Sequence, residues 1–193
     1  MQAGLIRKKT RGEADRELDA IEEETERLNV LTRRVGDFLR NPLGSPELIE
    51  LPTFLRDLAG RMPHPLLLAP ELPRLAVLFD RELLRSVMEN LARNAHESYG
   101  SEGGEVEVSL FREAGRVVVA VSDRGPGIPA EARGRVFDPF YTSKTQGSGI
   151  GLPLARRFVE AAGGHLSLLP REGGGTQARV ALPEAQSPKG AAS

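Results

Sequence analysis

Three short segments, in a fixed order, constrain this chain more than any other feature of its sequence. The first places Asn90 and Asn94 four residues apart, and the other two are the glycine-rich stretches Asp123–Pro129 and Gly147–Leu152. On a helix the two asparagines would share one face, because residues i and i+4 lie one turn apart. No single segment settles a function, but the combination and its order indicate one polar site built from a helix and two tight loops.

Composition excludes several classes of protein. The 193 residues suffice for one domain and a helical appendage. The 26 basic and 27 acidic residues give a net charge of −1, so no global attraction to nucleic acid or anionic membrane is expected. No apolar run approaches the roughly 20 residues of a membrane span, and no signal peptide is visible. We expect a cytoplasmic chain with no nucleic-acid partner, although the full-length protein could be membrane-anchored.

The chain has no cysteine. This excludes disulfide scaffolds, thiolate zinc sites and thiol nucleophiles. Any catalytic chemistry must therefore come from other side chains or from bound ligands.

The N-terminal region predicts one long helix from about Glu13 to Arg40. Its apolar positions, with two threonines among them, alternate spacings of three and four: Leu18, Ile21, Thr25, Leu28, Thr32, Val35 and Leu39. A stripe of this length on a terminal arm needs a partner, which favours a homodimer through this helix. The alternative is a helix packed on its own domain. The threonines suit a helical bundle better than a two-stranded coiled coil.

The rest of the chain alternates helices and strands. Helices are predicted at Pro52–Ala59, at Asp80–Ser98, and from Ile150 to the pair Gly163–Gly164. Gly60 is expected to end the first of them. Strands are predicted at Leu66–Ala69, Leu75–Phe79, Val106–Leu110, Val117–Val121, His165–Leu169 and Gln177–Leu182.

These elements predict an α+β fold, namely an α/β sandwich whose mixed, mainly antiparallel sheet is covered by helices on one face, plus the long N-terminal helix. The expected organisation has three parts. Residues 1–45 form the helical arm, residues 46–183 form the main domain, and residues 184–193 form a disordered tail.

The first two segments suit a nucleotide and a metal ion. Magnesium prefers hard oxygen ligands, such as the carboxamide oxygen of Asn94 together with phosphate oxygens. A plainer interpretation is an asparagine that bonds a neighbouring loop. Asp123, at a strand end, can accept a hydrogen bond from an exocyclic amine such as that of adenine. Gly125 and Gly127 would let the backbone lie against a flat base or turn sharply, although Asp and Gly are common in turns generally.

The second glycine-rich loop suits phosphate. Gly147, Gly149 and Gly151 lead into the N-terminus of a helix, where exposed N–H groups and the helix dipole favour anions. Their spacing differs from the dinucleotide-binding fingerprint, and they follow a polar loop rather than a strand.

The loop between the two glycine-rich segments carries aromatic and basic residues. Phe137 and Phe140 are expected to anchor this otherwise polar loop. Lys144 is placed to reach a terminal phosphate if the loop closes. The alternative for Lys144 is a solvated loop lysine.

In this order the segments resemble the catalytic ATP-binding domain of histidine kinases, within the superfamily that includes gyrase, Hsp90 and MutL. The likeness covers about residues 48–183. The Asn90/Asn94 helix is similar to the N box of that family, Phe137–Phe140 to its F box, and the short Pro139–Gly147 loop to kinases of the nitrogen-regulator type. The resemblance implies that ATP and Mg²⁺ are bound. It assigns nucleotide contacts to Asn94, Asp123, Gly125, Gly127, Lys144, Gly147, Gly149, Gly151, Leu152 and Thr176, the metal to Asn94, and catalytic roles to Asn90 and Lys144.

Position 90 separates two reactions within the superfamily. Gyrase-like ATPases place a glutamate four residues before the magnesium asparagine, where it activates water as a general base. This chain has Asn90 there, and an amide cannot take the proton, while Glu89 lies about 100° around the helix. The resemblance therefore implies transfer to a protein residue, assisted by positioning and by charge neutralisation from magnesium and Lys144.

The resemblance also raises the question of the phosphate acceptor, which in this family is a histidine on the first helix of a dimeric hairpin. His64, His96 and His165 do not stand in that context, and the predicted N-terminal helix is similar to the second hairpin helix. We expect the catalytic part of a two-component sensor histidine kinase, which transfers the γ-phosphate to a histidine not present in this chain. The expected partners are the histidine-bearing dimerisation hairpin and, indirectly, a response regulator receiver domain.

Two alternatives stay open at the level of sequence. One is an ATP-dependent conformational switch or ATPase of the same superfamily without kinase activity. The other is a binding module that has lost ATP and acts through the N-terminal helix.

Overall fold

The computed structural model describes residues 36, 43–100, 103–142, 144 and 147–185. The chain divides into two units, Met1–Pro42 and Leu43–Ser193, and the fold below belongs to the second. The predicted helix from Glu13 to Arg40, and the homodimer expected through it, lie outside the described residues except for Gly36, which is helical.

The described part of the second unit contains seven strands and four helices. The strands are β1 (Glu47–Glu50), β2 (Leu66–Leu68), β3 (Ala76–Phe79), β4 (Val106–Glu113), β5 (Arg116–Ser122), β6 (His165–Pro170) and β7 (Thr176–Pro183). The helices are α1 (Leu51–Arg61), α2 (Arg81–Glu97), α3 (Ala130–Arg133) and α4 (Gly151–Ala161). Within the described ranges, none of these helices has the length and apolar character needed to cross a membrane.

Five strands form the main sheet, in the order β2-β4-β5-β7-β6. Only β2 and β4 run parallel, and the other neighbours are antiparallel, which confirms the predicted mixed, mainly antiparallel sheet. Helix α2 packs against β4 and β5, and α4 packs against β6 and β7. The register aligns one buried row across four strands: Leu110, Val119, Val180 and Leu166. Strands β1 and β3 pair separately as an antiparallel ribbon.

Helix α1 corrects one prediction. Gly60 does not end the helix, which continues through Arg61 and is closed when the N–H of Met62 donates to the carbonyl of Leu58 at 3.1 Å. Gly60 is not among the residues with positive φ, and a helix accepts glycine at a cost of about 1 kcal/mol. Pro63 comes next after the cap, and proline cannot continue a helix because it lacks the N–H.

The ordered domain continues two residues past its predicted end at residue 183. The backbone N–H of Ala185 donates to the carbonyl of Ala76 at 2.9 Å, and Glu184 forms an ion pair with Arg112. The arginine beside Glu184 also lowers the pKa of that carboxyl from its usual value. Residues 186–193 of the predicted tail lie outside the described part of the chain.

Candidate functional site

Helix α2 places the two asparagines at the edge of the core. The carboxylate of Asp80 caps the helix by accepting a hydrogen bond from the N–H of Leu83 at 2.9 Å. Leu91 and Ala95 are buried in the core, as their positions on the helix predict. Asn90 is 8% exposed and Asn94 is half-buried. Both asparagines therefore lie on the face of α2 that borders the face packed into the core.

Asn90 is packed beneath the first turn of α4. Its Oδ1 accepts a hydrogen bond from Nη2 of Arg93 at 3.1 Å. A Cβ atom on Gly151 would lie 2.9 Å from Asn90 Cγ, so glycine at 151 is required by this close approach of α2 and α4. Buried Nδ2 has no hydrogen-bond partner among the described residues.

Replacing Gly151 with alanine is expected to cost about 1–3 kcal/mol of unfolding free energy, because the methyl group must displace the buried amide of Asn90. Gly60→Ala is the matched control, since Gly60 lies in α1 with nothing within 4 Å of the added methyl group. That variant should gain about 0.5–1 kcal/mol from helix propensity. Urea unfolding measures both, and a Gly151→Ala protein as stable as the wild type would contradict the close approach.

Lys144 reaches α2 from the loop that precedes α4. Its Nζ pairs with the carboxylate of Glu97 and lies 3.4 Å from Oδ1 of Asn94. An amide oxygen that accepts from an ammonium group also suits a hard cation such as Mg²⁺. Asn94 therefore fits the metal role that the sequence predicts for it.

A metal ion at Asn94 would need ligands beyond the amide oxygen of that residue. Across the described ranges, no group of three or more histidine, cysteine, aspartate or glutamate side chains could hold a metal ion. A magnesium ion bound through one amide oxygen takes its other ligands from phosphates and water. Among the residues that the structure describes, the donors near Asn94 thus fit a nucleotide-bound magnesium better than a structural metal.

Asp123 joins the end of β5 to the start of β7. The residue is 4% exposed, and its Oδ1 accepts hydrogen bonds from the N–H of Gly125 at 2.9 Å and of Thr176 at 3.2 Å. The N–H of Asp123 in turn donates to the carbonyl of Thr176 at 2.9 Å. These bonds bring three predicted site residues together, and both side-chain bonds use the same carboxylate oxygen.

The C-terminal end of α2 supports the Asp123 loop. The hydroxyl of Tyr99 accepts from the N–H of Arg124 at 2.7 Å and donates to the carbonyl of Glu105 at 2.7 Å. A Cβ atom on Gly125 would lie 2.9 Å from the Cβ of Ser98. Gly125 is therefore needed for the loop to approach α2, a role that complements the predicted contact with a base. Sequence reasoning missed Tyr99, since nothing in its spacing marks it.

Gly175 is a second residue that sequence reasoning missed. Its φ is +98°, and a Cβ atom there would lie 2.7 Å from the carbonyl carbon of Asp123. Arg171 fastens the same turn, because its Nη1 donates to the carbonyl of Asp123 at 3.3 Å and its Nη2 pairs with Glu107. The run of three glycines before Thr176 was the available signal, and it indicated only a turn.

The Arg171–Glu107 pair predicts a pH effect. The hydrogen bond from Arg171 lowers the pKa of Glu107 below its usual value. A carboxyl whose pKa is lowered in the folded state adds to the free energy of unfolding at pH values above its unfolded-state pKa. This contribution is lost as pH falls through the folded-state pKa. Glu107→Gln should cost at most about 1 kcal/mol at neutral pH, because the side chain is 45% exposed.

The stability difference between wild type and Glu107→Gln should therefore shrink as pH falls through the folded-state pKa of Glu107. Urea unfolding over a pH series from 7 down to about 3, which crosses the usual carboxyl range, checks this. Glu105→Gln, an exposed neighbour that keeps the same charge change, is the control. A difference that persists unchanged at the lower pH would contradict the ion pair.

The loop before α4 corrects another prediction. Phe140 does not anchor it, because its side chain is 75% exposed and its φ is +66°. The N–H of Phe140 donates to the carbonyl of Gly149 at 3.0 Å, and a Cβ atom on Gly149 would lie 2.7 Å from Phe140 Cα. The backbone is thus held by Gly149, while the ring turns to solvent. Phe137 is half-buried, with the guanidinium of Arg156 4.9 Å from its ring centroid.

A pocket opens beside the Asp123–Thr176 pair. Its lining includes the apolar residues Ile128 and Leu168, the backbone at Gly127 and Gly175, and the polar side chains of Thr176, Arg133 and Arg171. Apolar walls with a few polar edges suit a flat ring. Asp123 itself is not part of this lining, and neither are Asn94 and Lys144.

The predicted site residues form two groups. One lies at the ends of β5 and β7 and consists of Asp123, Gly125, Gly127 and Thr176. The other lies between α2, α4 and the loop before α4, and consists of Asn90, Asn94, Lys144, Gly147, Gly149 and Gly151. Contacts of Ser98 and Tyr99 with the Asp123 loop connect α2 to the first group. Leu152 is half-buried in the first turn of α4.

More than half of the chain matches a known protein family. Residues 79–186 match the family described as histidine kinase-, DNA gyrase B- and HSP90-like ATPase. The chain belongs to this family. The matched range contains α2, both glycine-rich loops and every strand from β4 to β7.

Curated relatives of this ATPase-family chain include sensor kinases. The alginate biosynthesis sensor protein KinB of Pseudomonas aeruginosa is 33% identical over 181 residues, which cover 86% of this chain and 30% of that protein. The C4-dicarboxylate transport sensor protein DctS of Rhodobacter capsulatus is 34% identical over 172 residues, covering 83% and 26%. The chain thus spans less than a third of the length of these relatives.

A solved structure has the same fold. Full-length ShkA in complex with AMPPNP is 29% identical to this chain, with a TM-score of 0.72 over 87% of this chain and 38% of that one. The likeness places the five-stranded sheet and its helices in the histidine kinase ATPase fold.

Proposed function

We propose that this chain is the ATP- and Mg²⁺-binding catalytic part of a two-component sensor histidine kinase. In this role it transfers the γ-phosphate of ATP to a histidine that lies outside the chain. The observation that carries the proposal is position 90, where a buried amide stands in place of a water-activating carboxylate, one turn before Asn94. Family membership and the sensor kinases among the relatives support it.

The group around Asp123 would bind the adenine. Oδ1 of Asp123 is engaged by the N–H groups of Gly125 and Thr176, so Oδ2 is the oxygen to accept from the adenine amine. The backbone at Gly127 would lie along the ring. Ile128 and Leu168, which line the adjoining pocket, would supply apolar contact.

The group between α2 and α4 would bind the phosphates. Gly147, Gly149 and Gly151 lead into the N-terminus of α4, a helix end that favours anions, and Leu152 follows in its first turn. Lys144 would exchange Glu97 for a terminal phosphate. Asn94 would hold a magnesium ion, which when bound neutralises charge on the phosphates.

Phosphoryl transfer would then use no base from position 90. An imidazole nitrogen of the acceptor forms a bond to the γ-phosphorus as the bond from that phosphorus to the bridging oxygen breaks. ADP leaves with the electron pair, and the imidazole releases its ring proton to water. In this reaction the chain positions the phosphates and balances their charge, through Lys144 and the α4 N-terminus.

The histidines of this chain are poor candidates for the acceptor. His64 stacks on His96, with ring centroids 3.4 Å apart, and His165 begins β6. We propose that the acceptor lies on a dimerisation hairpin, with homodimerisation through the N-terminal helix and a response regulator receiver domain as the indirect partner. Because ATP is the donor, this proposal places the reaction in the cytoplasm.

Incubation of the chain alone with γ-labelled ATP and Mg²⁺ tests this function, with calorimetry to measure binding. We expect tight binding that weakens when Mg²⁺ is removed, and no acid-labile phosphate on the chain. A stable acid-labile phosphate on this chain would contradict the external acceptor. Rapid ATP turnover without any phosphoprotein would favour a switch or ATPase, and absence of binding would favour a module without nucleotide.

A further inference from the structure

Glu97 lies beside the two residues that would bind the metal ion and the terminal phosphate, Asn94 and Lys144. It follows Asn94 by three residues on α2, so the two side chains share one face of the helix. The ammonium group of Lys144 contacts both of them, because Nζ pairs with Oε2 of Glu97 and lies 3.4 Å from Oδ1 of Asn94. Two side-chain oxygens of α2 thus converge on one positive charge.

The other carboxylate oxygen of Glu97 faces a second basic residue. Oε1 of Glu97 lies 3.8 Å from Nε of Arg93, which stands one turn earlier on α2. A guanidinium group keeps its positive charge and offers only donors, so this contact stays in place when Lys144 leaves. Arg93 therefore engages Oε1 and leaves Oε2 for the cation that lies beside Asn94.

The position of the Lys144 ammonium group suits a metal ion. Amide and carboxylate oxygens are hard ligands of the kind that Mg²⁺ prefers, and one or two carboxylates commonly hold this ion together with phosphates and water. In the proposed function Lys144 moves to a terminal phosphate, which leaves the position between Asn94 and Glu97 without its cation. The carboxylate of Glu97 would then repel the phosphates as a like charge, unless a second cation takes the place of the ammonium group.

We propose that Glu97 supplies the second protein oxygen of the magnesium site. With Asn94 it forms a two-oxygen cation position that the ammonium group of Lys144 occupies in the absence of the metal ion. When ATP and Mg²⁺ bind together, Lys144 gives up this position and pairs with the terminal phosphate, while phosphates and water complete the ligands of the ion. One cation is exchanged for another, and Glu97 keeps a positive partner throughout. This inference deepens the proposed function and rests on it.

The ratio of the ATP dissociation constants without and with Mg²⁺ measures this exchange. In Glu97→Gln, Lys144 loses an ion pair whose side chains are 40% and 42% exposed, and the like charge is gone. ATP should therefore bind about 3-fold more tightly in a chelator, where no Mg²⁺ is present. With Mg²⁺ the variant should bind at least about 3-fold more weakly, because an uncharged amide oxygen replaces the carboxylate. The ratio should thus fall by about 9-fold or more.

Calorimetry measures both constants, and the electron paramagnetic resonance signal of free Mn²⁺ measures metal binding to the ATP complex without any turnover. Glu82→Gln is the matched control, because Glu82 is an exposed acid in the first turn of the same helix. It should leave the ratio unchanged. In a Lys144→Met background, adding Glu97→Gln should still weaken Mn²⁺ binding by at least about 3-fold, because the carboxylate acts on the ion and not through the lysine.

Three results would overturn the proposal while ATP binding by the wild type upholds the nucleotide site. One is a Glu97→Gln protein with the same ratio as Glu82→Gln, which would make Glu97 a solvated acid. Another is equal tightening with and without Mg²⁺, which would make it only a partner of Lys144. The third is loss of the Mn²⁺ effect in the Lys144→Met background. A wild type that binds no ATP would instead contradict the proposed function, and this inference would fall with it.

Discussion

Replacing Asp123 with asparagine is expected to raise the dissociation constant for ATP by about 10- to 150-fold, with little change in stability. The asparagine oxygen can still accept from the N–H groups of Gly125 and Thr176, so the loop keeps its bonds. The second oxygen becomes an NH₂ group, which meets the adenine amine as donor against donor. Losing a hydrogen bond to a charged group costs about 1.5–3 kcal/mol, which gives this range of affinity.

Calorimetry with ATP and Mg²⁺ measures this change, and urea unfolding checks the fold. Glu71→Gln is the matched control, because Glu71 is an exposed acid in the loop between β2 and β3. It removes the same charge and should bind ATP as the wild type does. An Asp123→Asn protein with wild-type affinity would show that the adenine pocket has been assigned to the wrong carboxylate.

Replacing Gly175 with alanine is expected to destabilise the domain by at least about 3 kcal/mol. Two causes add, since φ is +98° and the new methyl group would overlap the backbone of Asp123. The displaced turn would also draw the N–H of Thr176 away from the carboxylate of Asp123. ATP affinity should therefore fall together with stability.

Gly174→Ala separates these two causes. Gly174 has a similar φ of +102°, but nothing lies within 4 Å of an added methyl group. Its alanine variant should lose only the conformational part, about 1–2 kcal/mol. Chemical unfolding of both proteins gives the comparison. Equal losses in the two variants would mean that backbone conformation alone explains the effect, and that the turn does not press on Asp123.

Much of the candidate site can be predicted from the sequence, because the types of its residues indicate the ligands that they can bind. Asn94 lies on a helix face, Asp123 at a strand end and Gly151 at a helix start. Such positions can be predicted from periodicity and helix caps. The predicted sheet is confirmed: β4 alternates apolar and polar residues, and β5 is a continuous apolar run that is buried on both faces.

The missed residues act through distant parts of the chain. Gly175 is required by the carbonyl of Asp123, 52 positions earlier, and Tyr99 by the N–H of Arg124. No local pattern reports such a contact. The prediction that Phe140 anchors its loop is wrong for a related reason. An aromatic residue in a polar loop suggests burial, but Gly149 holds the backbone of Phe140 and its ring is exposed to solvent. For α1, the better local signal for the end of the helix is Pro63, because proline cannot continue a helix, and this signal leaves Gly60 inside α1.

The central claim is that phosphate passes from ATP bound here to a histidine supplied from outside. It is tested most directly by incubating the chain with γ-labelled ATP, Mg²⁺ and separate histidine-bearing dimerisation hairpins of the kind proposed as the acceptor. The account predicts acid-labile label on a hairpin, none on a hairpin whose histidine is replaced, and a strong loss of label with Asp123→Asn. Conversion of ATP to ADP with every hairpin left unlabelled would contradict it, because the phosphate would then be going to water.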